Sequence, residues 1–411
     1  MGIAESGVRG MNDATVVGTP LVAAPERTQA RTINKAQWIM GALLVLALLL
    51  APFVLSDFRL SLLARFLCYA ILALGLDLIW GYTGILSLGH GVYFGLGAYC
   101  MAMHLKLEAT KGQMPDFMAW SGVDKMPWFW QPFRFAWFAI PAAIIVPTVL
   151  AAILGYCTFR SRIKGVFFSI LSQALSIVVV TLFVGQQGYT GGTNGMTNYK
   201  TLFGYDLNSI STQHFFYWFT ALALVGVYLL SRWLVAGRLG KILIAIRDGE
   251  NRVRYTGYDP VMYKVFIYAL SASLAGLAGI LFVLQVGLIT PTEMDIVHSI
   301  KMVLWVALGG RATLTGAVLG AVLVNAAENA LSENYPAIWS FLMGGLFLVS
   351  VLFLPQGLMG WFNTLPATIR AKRAKKSEPR GWTSHASRNP GSQHDAAAAR
   401  DTTDAAENPV Y

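Results

Sequence analysis

The chain has 411 residues, of which 55% are hydrophobic and only 13% charged, and its formal net charge is +10. A soluble chain of this length would have about a quarter of its residues charged. The composition therefore excludes a soluble protein and specifies an all-α polytopic membrane protein. The positive excess lies in loops and tails, where it reports orientation in the membrane and gives no reason to expect a nucleic-acid partner. Cys68, Cys100 and Cys157 stand in apolar segments without CxxC spacing. They read as small core residues, with neither a disulfide framework nor a metal site.

In chain order, residues 1–37 are polar, with Arg27, Arg31 and Lys35 just before the first apolar run. The first core is long and distant from the start, unlike a signal peptide, so this stretch is expected to be a disordered cytoplasmic extension. A membrane body follows over 38–360. Spans of about 20 apolar residues are expected at 38–55, 60–80, 89–107, 136–158, 165–186, 214–236, 263–288, 312–330 and 338–354, with a shorter apolar piece at 299–309. The total is about eight to ten transmembrane segments. The N-terminus, FRSRIKG (159–165), the 237–262 segment and the run from Arg370 to Lys376 are basic, which places all of them, and both termini, in the cytoplasm.

That orientation constrains the count. The tail returns to the cytoplasm only if 299–330 enters and leaves by one face, as a re-entrant half-helix and a return helix. Broken elements are therefore expected at 81–91 (GYTGILSLGHG) and within 299–316, at LGGRATLTG (308–316), where protein or a water-filled cavity must cover the non-helical backbone. Two outer loops remain, about 108–135 and 187–213. Trp128, Phe129, Trp130 and Phe133 in the first suit an interfacial aromatic belt. The second is glycine-rich and built for turns. The segment 361–411 turns basic, then low in complexity, and is expected to be disordered.

The stretch GRLGKILIAIRDGENRVRYTGYDP (237–260) is the longest charged segment between two apolar ones. Leu239, Ile242, Leu243 and Ile246 recur at helical spacing. The pattern predicts an amphipathic helix whose stripe lies on the bundle while Arg238, Arg247, Asp248, Glu250 and Arg252 face the cytoplasm.

Within the membrane, Thr83, Ser87 and His90 are groups an apolar span does not need, and burying them unpaired is costly. They are candidates for a substrate path, with Gln186, Gln187, Thr193 and Asn194 of the polar outer loop. For the glycines among them close packing weighs more than substrate contact. Asp77 is an intramembrane carboxylate, a functional candidate by default, set against a position near the cytoplasmic end that water reaches. Ser172, Gln173 and Ser176 suit hydrogen bonds between helices. Glu328 and Glu333 suit the outer interface. GxxxxGK[ST], HExxH, a nucleophile elbow and CxxC are all absent from the sequence, so no catalytic residue, metal site or bound cofactor is expected. These features fit a pore or permease; an autonomous channel or a proton-coupled transporter using Asp77 and His90 is the competing class.

GYTGILSLGHGVYFGLGAY, the block GRLGKILIAIRDGENRVRYTGYDPVMYKVFIYALSASLAGLAG and WVALGGRATLTGAVLGAVL occur in the order found in the membrane permeases of branched-chain amino acid ABC importers, a family the chain resembles over about 38–360. Within it, LGLDLIWGYTGILSLGHG and the insertion WSGVDKMPWFWQPFRF (120–135) resemble the subgroup assigned to urea uptake, with branched-chain amino acids as the alternative substrate. The resemblance implies an inner-membrane permease subunit paired with a homologous permease, driven by two cytoplasmic ABC ATPases that use ATP, and fed by a periplasmic binding protein. It also implies that 237–262 is the ATPase-coupling segment, centred on Arg247, Asp248 and Glu250; the family often has Asn where Gly249 stands.

Overall fold

The computed structural model describes residues 35–353 and 357–359, apart from 112, 164 and 200. Most of the 1–37 extension and the 361–411 tail lie outside the described residues. The helices are α1 (Lys35–Val54), α2 (Asp57–Thr83), α3 (His90–Ala109), α4 (Asp116–Trp120), α5 (Ala136–Arg160), α6 (Val166–Gly185), α7 (Gln187–Thr190), α8 (Ile210–Ala236), α9 (Arg238–Tyr255), α10 (Pro260–Val286), α11 (Ile296–Gly309), α12 (Leu314–Asn334) and α13 (Trp339–Phe353). A two-residue hairpin, β1 (Thr201–Leu202) with β2 (Tyr205–Asp206), is the only sheet among the described residues. The chain is an all-α polytopic membrane protein. Six helices (α2, α5, α6, α8, α10 and α12) are long and apolar enough to cross a membrane, and Met40–Val54 and Ile296–Gly309 are shorter apolar helices.

The centre of the bundle is α2 and α10. Within their spans 83% and 78% of residues are buried, against 22% in α6 and 28% in α8, whose apolar side chains face outward. Between helices in lipid there is little hydrophobic drive, so close approach depends on small residues. Here α3, α10 and α5 meet on glycine. A β-carbon at Gly97 would lie 2.5 Å from the Gly276 carbonyl oxygen, and one at Gly276 would lie 2.5 Å from that of Ala143. Tyr69, Phe94, Phe282 and Trp305 pack as an aromatic cluster, Tyr69 tilted against the other three and Phe94 edge-on to Phe282. Cys68 and Cys100 are buried as expected, but Cys157 is exposed; α5 turns only one face to the core, and Cys157 lies off it.

Both expected breaks are present. α2 ends on Gly84, in the left-handed conformation (φ 76°), and the chain runs without helix until α3 starts at His90. The second break is confined to 310–313, between α11 and α12. A third non-helical stretch, 287–295, separates α10 from α11 and holds a short 3-10 turn at Pro291–Met294. This gives two half-helices related in an inverted sense. α2 runs toward the α9 end of the bundle, extended chain climbs back, and α3 leaves from mid-depth toward the α4 end. α10 runs toward the α4 end, extended chain returns, and α11 leaves from mid-depth toward the α9 end. The two N-termini abut: a β-carbon at Gly91 would lie 2.9 Å from Ser299 Oγ and 3.0 Å from the Glu293 carbonyl.

The loops at the α4 end lock together. Trp130 Nε1 donates to the Tyr189 carbonyl at 3.0 Å, and Met196 pairs with Ile289 as an antiparallel bridge. Trp128 and Phe129 are exposed, as a belt requires, whereas Phe133 is 7% exposed and packs inward. His104 Nδ1 lies 2.9 Å from the Phe133 carbonyl, and that contact holds the residue in.

Candidate substrate path and docking face

The extended piece 84–89 carries backbone amides and carbonyls at membrane depth, where an unpaired group costs several kcal/mol. A ladder of serines on α6 satisfies them. Ser169 Oγ donates to the Leu86 carbonyl at 2.8 Å, the Leu88 amide donates to Ser172 Oγ at 2.9 Å, and Ser176 Oγ reaches the Leu88 carbonyl at 3.5 Å. Gly89 passes so close that a β-carbon there would meet the Ser172 carbonyl at 2.6 Å. Ser172→Val removes the acceptor for the Leu88 amide and is expected to lower stability by about 1–3 kcal/mol. Thermal unfolding in detergent checks this; an unchanged midpoint refutes the ladder. Thr83 Oγ1 donates back to the Ile79 carbonyl at 2.5 Å, and Ser87 Oγ accepts from the Gly89 amide at 3.4 Å, so both first serve their own backbone.

His90 opens α3 in a buried setting. Its Nε2 lies 2.7 Å from Ser271 Oγ, and Ser271 Oγ donates to the Gly75 carbonyl at 2.6 Å. A hydroxyl has one proton, so Ser271 accepts and His90 Nε2 donates. His90 Nδ1 has no hydrogen-bond partner among the described residues, and neither does Ser299 Oγ in the first turn of α11. Both residues are 1% exposed. Tyr93 and Tyr268 share a 2.6 Å hydroxyl bond beside the His90 ring. α3 starts on Gly89 with neither a side-chain cap nor an acidic residue in its first turn. Its positive dipole end therefore has no anion of its own.

Close by, His298 Nε2 lies 3.0 Å from Glu293 Oε2, Tyr69 OH reaches that oxygen at 3.5 Å, and Arg65 Nη2 donates to Tyr69 OH at 3.2 Å. Sequence reasoning missed this group. The available signal was Arg65 inside the same span as Asp77, a costly placement that marks a buried partner. Lys301 and Glu328 form a further ion pair between α11 and α12, so Glu328 is engaged by a helix as well as lying near the interface, while Glu333 is exposed.

Of the two readings of Asp77, the water-reached position does not hold: the residue is 0% exposed. Its Oδ1 accepts the Ala312 amide at 2.7 Å and so holds the 310–313 break against α2. Gly81 makes room for this contact, because a β-carbon there would sit 2.6 Å from the Ala312 nitrogen. Arg311 lies over the Trp80 ring at 4.4 Å. Burial, with the like charge of Arg247, pulls the Arg311 pKa below the ordinary arginine value, and Asp77 opposes that; an arginine keeps its charge regardless. Asp77 is thus engaged at the 310–313 break and His90 at Ser271.

α9 forms as its periodicity predicts. Leu243, Ile246 and Val253 are buried, Leu239 and Ile242 partly so, and Arg238, Lys241, Arg247, Asp248 and Arg252 stand on the exposed side. Arg247 Nη1 donates to the Gly81 carbonyl at 2.9 Å while its Nε donates to Asp248 at 3.0 Å. Glu250 turns inward instead, to Lys264 at 2.7 Å and Arg254 at 3.3 Å, which ties α9 to α10. Gly249 kinks the helix at φ −176°, extended backbone open to any residue, and a β-carbon there would meet the Arg252 side chain only at 3.4 Å. Gly249→Asn is therefore expected to leave folding and assembly within about 0.5 kcal/mol of the wild type, checked by thermal unfolding and co-purification.

The structure separates the sequence's path residues into two groups. Thr83, Ser87 and His90 line the 83–90 break, whereas Gln186, Gln187, Thr193 and Asn194 are exposed at the α4 end. Among the described residues no group of His, Cys, Asp and Glu could hold a metal ion.

Residues 58–351 match the family described as branched-chain amino acid transport system, permease component. The chain is 26% identical over 373 residues to the high-affinity branched-chain amino acid transport system permease protein LivM of Salmonella typhimurium, covering 85% of this chain and 79% of that protein. It is 22% identical to the corresponding protein BraD of Pseudomonas aeruginosa (71% of this chain, 91% of that protein) and 23% identical to LivH of Escherichia coli K12, with the same coverage. No solved structure matches. The relatives are transporter permease subunits and not enzymes, and with a family match across nearly the whole helical body, this chain belongs to the permease components of branched-chain amino acid transport systems.

Proposed function

We propose that this chain is one of two homologous permeases of an ATP-driven importer in the bacterial inner membrane, and that its substrate is a branched-chain amino acid. The near full-length match to permeases whose names specify those amino acids carries the substrate reading. The geometry supports it. A zwitterion needs a charge complement for its carboxylate, and broken helices that meet at mid-depth supply one through their N-terminal amides. The uncapped start of α3, beside the partnerless Ser299 Oγ, suits that role, with the Glu293 backbone carbonyl close enough to accept from an ammonium group. The urea reading drew on LGLDLIWGYTGILSLGHG and the 120–135 insertion. In the fold, part of that insertion holds the neighbouring loop through Trp130 and Tyr189, a scaffold duty that does not call for urea.

In this reading the α9 end faces the cytoplasm. The exposed face around Arg238, Arg247, Asp248 and Arg252 docks on one of two ATPase subunits, which bind and hydrolyse the ATP, while Glu250 anchors the helix. The loops with Gln186, Thr193 and Asn194 face a periplasmic binding protein, and Thr83, Ser87 and His90 border the path. Liposomes holding the complete complex should take up leucine in an ATP-dependent manner, with urea as a failed competitor. ATP-dependent urea uptake that leucine does not block would overturn the substrate reading. Proton-driven flux through this chain alone would overturn the importer reading.

A further inference from the structure

We propose that the groove between α1, α8 and α12 is a binding site for an anionic phospholipid. α1 stands off from α8 and α12 and leaves a groove of about 420 Å³ whose walls are apolar, among them Leu46, Leu49 and Leu224. Polarity is confined to the α9 end. There Arg232 and Tyr228 line it one and two turns before α8 ends, joined by a 3.3 Å bond from Arg232 Nη1 to Tyr228 OH. Gly41 on α1 faces Tyr228 at that end: a β-carbon there would be in ordinary contact, 3.5 Å from Tyr228 OH.

One charged end and a long apolar slot match the two parts of a phospholipid. A guanidinium has five donors in a planar fork that suits a phosphodiester, and it can hold Tyr228 at the same time. Basic pockets between transmembrane helices at the cytoplasmic side select acidic headgroups. None of the described residues lining this groove is acidic, so none of them meets the ammonium of a zwitterionic headgroup. A net-anionic diester is therefore favoured over phosphatidylcholine. Its acyl chain would fill the slot beside Leu46 and Leu49, which are half exposed, and brace α1 against the bundle.

The test is native mass spectrometry of the whole purified complex, released from nanodiscs containing equal phosphatidylglycerol and phosphatidylcholine. The wild type is expected to retain phosphatidylglycerol about tenfold over phosphatidylcholine, equal to about 1.4 kcal/mol. Arg232→Gln should bring retention down to the phosphatidylcholine level, Arg232→Lys should keep much of it, and Ala42→Phe, which fills the groove, should lower retention of both lipids. The lysine variant reports that the site still folds when the guanidinium is altered. Equal retention of the two lipids by the wild type, or undiminished retention by Arg232→Gln, would overturn the proposal. So would efficient disulfide cross-linking from Val45→Cys to the companion permease, since the groove would then be a subunit interface. Leucine uptake by the same preparations is a separate readout, so the lipid site can fail while the transport reading stands.

Discussion

Arg247→Glu is expected to reduce ATP-dependent uptake at least about tenfold while the protein still inserts and purifies. Arg247 sits where α9 touches the end of α2, and its guanidinium donates to the Gly81 carbonyl. The last turn of a helix presents carbonyl oxygens with a partial negative charge, which a cation stabilises and an anion opposes. Glutamate there would face those carbonyls and the nearby Asp77 carboxylate, so α9 would be pushed off its seat. The folding cost is modest, on the order of the 1.5–3 kcal/mol typical of one hydrogen bond to a charged group. The coupling cost is larger, because reversing a charge at the proposed docking centre would place like charges together. Uptake, ATPase co-purification and thermal unfolding should be read on the same preparation. Normal uptake with the ATPase subunits still bound would end the docking role of Arg247.

Asp77→Ala is expected to destabilise the protein by about 1–3 kcal/mol, the cost of leaving a buried amide without its acceptor. The amide is that of Ala312, within the break between α11 and α12. Loss of this bond also frees a turn that carries Arg311 over Trp80. Asp77→Asn keeps an acceptor oxygen and should retain part of that stability, but it removes the negative charge that Arg311 interacts with. The expected order is therefore wild type, then Asn, then Ala, in thermal unfolding of reconstituted protein. If alanine unfolds at the wild-type temperature, Asp77 does not hold the break, and a direct part in transport regains weight.

Much of the fold was legible because hydrophobic runs and charge are local properties. The 20-residue apolar segments, the basic 237–260 stretch with its helical stripe, and the glycine-marked interruptions at 81–91 and 308–316 each announce themselves within a short window. The apolar length that must span a bilayer, and the cost of breaking a helix inside one, are set by the solvent more than by the neighbours. Leu243 and Ile246 were placed on the buried face of α9 by spacing alone, and burial there agrees. The family was also legible, since three blocks recur in order.

Partners across the bundle were not legible. Asp77, which the sequence left between a functional role and a water-reached position, is fully buried, because the break that needs it lies 235 residues further along the chain. The α6 serines looked like generic helix glue; in the fold they are the hydrogen-bond ladder for 84–89. Glu250, grouped by sequence with the docking charges, faces Lys264 because α9 kinks at Gly249 and turns it inward. The meeting of two half-helix N-termini, on which the proposal of a carboxylate-bearing substrate draws, has no signature in either segment alone. The sequence determined which segments enter the membrane and where they break. Only the tertiary structure decided what each break faces, because a dipole end or a buried amide acquires its meaning from whatever packs against it.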